Sequence, residues 1–114
     1  MAKLVREGDE LVLHLMESEK LEGLHGDLHI PVGHVASVEA IDHPIGAVGG
    51  MKVMGARLPG LFAMGTYETT GGPIFAMVHR GAARGIRIHI QGGGYTAVII
   101  SAEDPEGTIA SLGL

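Results

Sequence analysis

The sequence predicts a mainly β domain that is closed by a short C-terminal helix. Four apolar runs in its second half are separated by glycine-rich turns, a pattern typical of adjacent antiparallel strands. In Ile86–Ile90 apolar residues alternate strictly with polar ones, so one face of this strand is predicted to be buried and the other solvated. We expect the four runs to pair in meander order. They cover Leu61–Tyr67, Ile74–His79, Ile86–Gln91 and Tyr95–Ser101.

The end of the chain carries the signature of a helix start. Asp104 stands where an N-cap residue is expected, and Pro105 follows at the first helical position, where proline is favoured. Ile109 and Leu112 lie three residues apart and can face the sheet together. The sequence therefore predicts a closing helix that packs on the strands.

The first half opens with a predicted hairpin. Its strands are Lys3–Arg6 and Glu10–Met16, joined by a turn around Gly8. The next segment, Glu17–Leu24, has helix formers and apolar residues three apart, which favours one or two helical turns that end at Gly26. A strand through Leu21 and Leu24 is the alternative.

Two further strands and one long irregular segment complete the prediction. The strands are Asp27–Ile30 and Val35–Ile41, and Asp42-His43-Pro44 ends the second because the residue before proline is steered to extended or turn geometry. Residues 45–60 contain five glycines and Pro59. We predict a long loop there, and long loops in compact domains are usually functional or mobile.

Length and composition indicate one soluble domain over residues 1–114. The chain is 46% hydrophobic, which excludes a disordered protein. No apolar run approaches the roughly 20 residues of a membrane span, and no signal-peptide core follows the first methionine. Cysteine is absent, so no disulfide or thiolate site is possible, and a reducing cytoplasm fits this composition. The 19 glycines fall mostly between apolar runs, as tight turns require.

Charge is distributed unevenly along the chain. Residues 1–42 carry nine acidic and three basic side chains, and the whole chain has a net charge of −5. An acidic protein is a poor candidate for general nucleic-acid binding, which depends on a basic surface. The second half nevertheless offers a candidate anion or lipid-headgroup site of five cations. They are Lys52, Arg57, Arg80, Arg84 and Arg87.

The strand order and three motifs resemble the bacterial pleckstrin-homology-like (PH-like) domains. The motifs are the stretch His25–Pro31 followed by Val35–Glu39, the Leu58-Pro59-Gly60 entry to Gly65-Thr66-Tyr67, and the strand-to-helix junction Val98–Glu106. The resemblance covers nearly the whole chain and implies a β-roll or split barrel of about seven antiparallel strands capped by the helix.

What the resemblance implies about function is a binding or assembly module. PH-like folds bind lipid headgroups, peptides or other domains, or self-associate. Lipid binders of this kind use a basic first hairpin, whereas the first hairpin here carries Glu7, Asp9 and Glu10. Peripheral lipid contact is therefore disfavoured.

No motif indicates catalysis, a cofactor or a metal. No serine stands in a Gly-x-Ser-x-Gly elbow, and Glu17, Glu19 and Glu22 are expected to form a solvated acidic cluster. His25, Asp27 and His29 alternate along a strand and could present metal ligands on one side, but solvated side chains are the simpler interpretation. We predict neither catalytic residues nor a metal site.

Self-association is the most specific functional prediction. Four large apolar side chains occupy alternate positions on two neighbouring strands: Phe62, Met64, Phe75 and Met77. The small residues Ala63, Gly65 and Ala76 lie on the opposite face. The leucines and isoleucines of the other strands suffice for one core, so this face is predicted to be exposed and buried in a homo-oligomer or against a protein partner. Cover from residues 45–60 of the same chain is the alternative.

Overall fold

The structure, a computed structural model, describes residues 1–114 and is mainly β, with 50% strand and 18% helix. The predicted class, a mainly β chain with a short C-terminal helix, is confirmed. In chain order the elements are β1 (Lys3–Glu7), β2 (Glu10–His14), α1 (Glu17–Gly23), β3 (Leu28–Pro31), a 3-10 turn (Val32–His34), β4 (Val35–Asp42), a second 3-10 turn (Pro44–Ala47), β5 (Met51–Leu58), β6 (Phe62–Thr69), β7 (Gly72–Val78), β8 (Arg84–Ile90), β9 (Ala97–Ser101) and α2 (Pro105–Ser111).

The nine strands form two sheets. One has three strands in the order β1-β2-β3, and the other has six in the order β4-β8-β9-β7-β6-β5. The predicted hairpin of β1 and β2 is confirmed, and so are the antiparallel pairs β6–β7 and β8–β9. The predicted meander is wrong at one step, because β9 lies between β7 and β8 and runs parallel to β7.

One large core lies between the two sheets. It buries alternate residues of both, such as Leu11 and Leu13 on β2 and Ile86 and Ile88 on β8, and Leu112 closes it from α2. A smaller cluster lies on the other face of the six-stranded sheet, around Tyr67, and is covered by Val48. The six-stranded sheet is therefore covered on both faces, which explains why several of its strands are apolar on both sides.

The predicted closing helix is confirmed. Asp104 is the N-cap, and its Oδ1 accepts a hydrogen bond from the Gly107 amide at 3.1 Å. Leu112 is 1% exposed and Ile109 packs at the edge of the main core. The short helix has few backbone bonds of its own, so its attachment to the sheet depends on this cap, on these two contacts and on the Arg84–Glu106 hydrogen bonds.

Two local predictions are corrected. Residues 51–58 are strand β5 and not part of a long loop; glycines and a bulge between Lys52 and Met54 conceal the alternation that would mark a strand. The helix α1 ends at Gly23, with Leu24 as its C-cap, and does not extend to a cap at Gly26. Leu24 itself adopts the left-handed conformation, with φ 51°, that glycine was expected to supply.

Candidate functional site

The four residues predicted to form an oligomer surface lie inside the molecule or at its margin. Phe75 and Met77 are 0% exposed and Met64 is 4% exposed, all in the main core, while Phe62 is half-buried. The prediction is wrong for the first three, because their face of the sheet is the one that packs on the β1-β2-β3 sheet and on α1. The side chain of Met77 in fact lies so close to Gly23 of α1 that a Cβ there would meet it at 2.9 Å.

Exposed apolar side chains gather instead on β5 and its neighbours. Seven large apolar residues in this region are at least 41% exposed, and Met51 and Leu21 reach 76% and 75%. We call this region the β5 edge surface. It consists of Leu21 and Leu24 on α1, Met51, Val53, Met54 and Leu58 on β5, and Leu61 in the following turn.

The strand register explains why part of this surface is continuous with α1. Met54 lies opposite Thr66 and Leu58 opposite Phe62, so both point to the side of the sheet that carries Met64. α1 packs over the same side and contacts β5 and β6. The exposed side chains of the helix and of the strand therefore border each other.

β5 is also an edge strand with an open backbone. It pairs with β6 only, so one row of its N–H and C=O groups lacks a strand partner. Gly55 and Gly65 lie opposite each other in this pair: both have φ near +118°, and a Cβ on Gly55 would lie 1.9 Å from the Met64 carbonyl oxygen. These two positions therefore accept only glycine, and the other side of β5 stays open.

The five predicted anion-site cations do not form one site. Arg84 donates to Asp42 and bidentately to Glu106, and Arg87 donates to Glu39 at 2.6 Å. These two arginines therefore have carboxylate partners within the chain. Arg80 and Arg84 are the only two of the five that line the same cavity, which has a volume of about 350 Å³.

The remaining cations have separate roles. The Arg57 guanidinium lies 5.2 Å from the ring centre of Tyr67 and donates to the Gly50 carbonyl at 2.9 Å, although its buried Nε has no partner. Arg80 stacks at 5.8 Å over Phe62. Lys52 is exposed and makes no ion pair. Arg57 thus supports the turn before β5, a structural role that its position in the sequence did not reveal.

Ion pairing shifts several pKa values at the β4 side of the sheet. Hydrogen bonds from Arg87 and then from His89 lower the pKa of Glu39, and the bond from Arg84 lowers the pKa of Glu106. The same contact with Glu106 raises the pKa of Arg84. All three groups are solvent-accessible, so these pairs orient side chains along β4 more than they stabilise the fold.

The predicted acidic cluster on α1 is not uniformly solvated. Glu19 is 0% exposed: its Oε1 accepts a hydrogen bond from the Met16 amide at 2.7 Å, and its Oε2 lies 2.6 Å from Nε2 of His79. A buried carboxylate requires partners of this kind. The pair ties α1 to the end of β7, across 60 residues of sequence, and no local pattern could have indicated it.

Histidines surround one open cavity between β3 and the β8–β9 turn. The cavity has a volume of about 240 Å³, and its lining includes His25, His29, His34, Asp27 and Tyr95. No three histidine or carboxylate side chains are placed to hold a metal ion together. His25 and Asp27, which we weighed as ligands from the sequence, are each engaged locally: His25 Nδ1 donates to the Gly26 carbonyl, and Asp27 Oδ1 accepts from the Leu15 amide.

Comparison with protein-family models, curated proteins and solved structures gives no match. The resemblance to PH-like domains thus stays a prediction from the sequence. None of the helices is long and apolar enough to cross a membrane.

Proposed function

We propose that this domain is a non-enzymatic assembly module that pairs with a second copy of itself through the β5 edge surface. The observation that carries the proposal is the coincidence of an open strand edge with exposed apolar side chains at one place. Proteins usually protect sheet edges with charges, prolines or covering elements, because an open edge invites pairing with another chain. On β5 such protection is confined to its start, with Lys52 and the bulge that follows it. From Met54 to Leu58 the one charged residue, Arg57, is held by the Gly50 carbonyl and the Tyr67 ring of the same chain, so this stretch is open to a partner strand.

The area fits a dimer interface of ordinary size. Apolar side chains contribute roughly 60–120 Å² each when fully buried, so seven that are about half exposed present on the order of 400 Å². A standard interface buries roughly 800 Å² per partner, a little over half of it apolar. The β5 edge surface therefore supplies most of the apolar area that one side of such an interface needs.

Side-chain pairing favours one antiparallel register about a two-fold axis at Ala56. In that register Met54 of one copy lies opposite Leu58 of the other, twice, on the face that carries α1. Arg57 lies opposite Gly55, so no cation faces another. A register centred between Met54 and Gly55 would instead place Lys52 opposite Arg57, and opposed like charges destabilise a strand pair.

The natural absence of cysteine allows a direct test of this register. An Ala56→Cys variant should form a disulfide-linked dimer under mild oxidation, because residues opposed at the two-fold axis come within the Cα distance that a disulfide spans. A Val53→Cys variant is the matched control: it lies on the same strand and is exposed, but faces a different residue of the partner. Equal crosslinking of both variants would contradict the proposed register.

Light scattering tests the dimer itself. We expect the wild type to be a dimer, and Met54→Lys to be a folded monomer, because the substitution places cations next to an apolar partner surface on both copies. Leu114→Lys, at an exposed apolar residue outside the surface, should remain dimeric. A monomeric wild type, or a Met54→Lys variant that stays dimeric, would refute the proposal.

A further inference from the structure

Besides the β5 edge surface, the molecule has an open cavity between β3 and the β8–β9 turn whose presence the packing of the fold does not explain. It opens at one end of the main core and holds about 240 Å³, the volume of roughly eight liquid waters. Cavities that bind small molecules run from roughly 300 Å³ upward, so this one suits a ligand of few heavy atoms. Leu28, Ile30 and Ile90 supply an apolar side to its lining.

The imidazoles of this cavity present hydrogen-bond acceptors. His25 Nδ1 lies 2.7 Å from the Gly26 carbonyl oxygen, and His29 Nδ1 lies 2.7 Å from Glu10 Oε2. Each of these partners can only accept, so Nδ1 is the donor in both rings, and Nε2 is the ring nitrogen left for a further partner. His34 makes no side-chain hydrogen bond within the chain, so it can supply a further acceptor nitrogen.

The charge around the cavity is negative. Asp27 is in the lining, and the hydrogen bond from the Leu15 amide lowers its pKa, so it is ionised at neutral pH. Glu10 stands behind His29 and Glu7 behind His14. Lys20 Nζ lies 3.8 Å from Asp27 Oδ1 and His14 Nδ1 lies 3.2 Å from Asp27 Oδ2. Even with His14 protonated, which its raised pKa favours because of the bond to Glu7, the three carboxylates outnumber these two cations. Asp27 is the one carboxylate in the lining itself, and a negative net charge around a cavity disfavours anions and favours cations.

One wall of the cavity is aromatic. The ring of Tyr95 lies 6.1 Å from His25 and 5.8 Å from the buried Phe75, and His25 lies 5.1 Å from Phe75. The Tyr95 hydroxyl is already hydrogen-bonded to Thr66 at 2.8 Å, so this residue offers the cavity its ring and not its hydroxyl. Aromatic rings attract cations as well as flat apolar groups.

We propose that this cavity binds a small organic cation with N–H donors, such as a primary ammonium or amidinium carried on a flat apolar group. The imidazole Nε2 atoms accept the N–H donors, Asp27 supplies the opposite charge with Glu10 behind His29, and Tyr95 with Ile90 contacts the apolar part. This site is independent of the proposed pairing through β5.

Three probes of nearly equal shape test the sign of the charge. Benzylammonium, benzyl alcohol and benzoate are titrated into the full chain in buffer containing EDTA, and binding is followed by the NMR resonances of His25, His34 and Tyr95. We expect saturable binding of benzylammonium with at least tenfold higher affinity than that of benzoate, and intermediate affinity for the alcohol. Equal or tighter binding of benzoate, or no saturable binding of benzylammonium, overturns the proposal.

Matched variants then test the named groups. His25→Phe keeps the aromatic contact with Phe75 but removes the acceptor, and should weaken benzylammonium binding at least fivefold. Asp27→Asn keeps an oxygen for the Leu15 amide and removes the charge, with a similar loss expected. Tyr95→Phe should bind like the wild type, because it keeps the ring. Unchanged affinity of a folded His25→Phe variant, or loss of binding in Tyr95→Phe, contradicts the assignment.

Discussion

The two edges of the six-stranded sheet are built in opposite ways. Along β4, Glu39 and Asp42 hold arginines of the neighbouring strand, and α2 packs beside the strand. Along β5, Met51, Val53 and Met54 stand exposed with no ion pair. Charged side chains are a common protection of an edge strand against another chain. The difference indicates that β4 is a closed edge and β5 an open one.

The backbone supports the same contrast. Where β5 pairs with β6 at Gly55 and Gly65, neither residue has room for a Cβ. β4 is attached to β8 largely through ordinary side-chain pairs, such as Val38 opposite Ile88. An open edge that binds a second copy must itself be firmly held, because a loosely held strand would detach with its partner.

The largest expected effect comes from the glycine pair. Gly55→Ala would place a Cβ 1.9 Å from the Met64 carbonyl oxygen, and Gly65→Ala would place one 2.1 Å from that of Met54, both at φ near +118°. Strain at such φ together with overpacking should lower the free energy of unfolding by roughly 3–5 kcal/mol in each variant. Chemical denaturation measures this loss.

Gly33→Ala is the control for these variants. A Cβ at Gly33 meets no atom within 4 Å, and its φ lies outside the left-handed region, so the free energy of unfolding should change by less than about 0.5 kcal/mol. If Gly55→Ala and Gly65→Ala behave like this control, the close β5–β6 pairing is incorrect.

A smaller effect is expected in amide hydrogen exchange. If β5 pairs between copies, exchange of its amides should slow by about tenfold or more when the protein concentration rises far above the dissociation constant, since association stabilises by mass action. The amides of β4, at the closed edge, should exchange at the same rate at both concentrations. Concentration-dependent protection of both edges, or of neither, would remove the distinction between them.

The sequence predicted the elements better than their arrangement. Ile86–Ile90 alternates strictly, and Asp104-Pro105 is a strong helix start, so β8 and α2 could be predicted from local chemistry. The parallel pairing of β9 with β7 could not be predicted, because local patterns do not specify which strands become neighbours. The same limit applies to the contact between Glu19 and His79.

The candidate sites failed for a related reason. Phe75 and Met77 were assigned to the wrong face because both faces of β7 are apolar, and alternation alone does not tell which one meets the larger core. The exposed β5 was concealed by Gly55 and by the bulge after Lys52. For Arg84 and Arg87, the carboxylates that pair with them lie on distant segments.

The smallest expected effect concerns the charges that close the β4 edge. NMR titration should give the Glu39 carboxyl a pKa below its ordinary value of 4.5, because Arg87 and His89 hydrogen-bond to the charged form. Arg87→Gln should raise that pKa toward the ordinary value, whereas Lys52→Gln on the opposite edge should leave it unchanged.

The sign of the pH dependence follows from this lowered pKa. An acid with a lower pKa in the folded state stabilises the fold above its unfolded-state pKa, and that stabilisation is lost as the pH falls through the folded-state value. Between neutral pH and the unfolded-state pKa, the wild type and Arg87→Gln should therefore differ in stability by a small constant amount. The difference should shrink as the pH falls from the unfolded-state pKa toward the folded-state pKa and be absent below it. Because the pair is exposed, added salt should also reduce the difference. A Glu39 pKa that does not respond to Arg87→Gln would show that this contact does not close the β4 edge in solution.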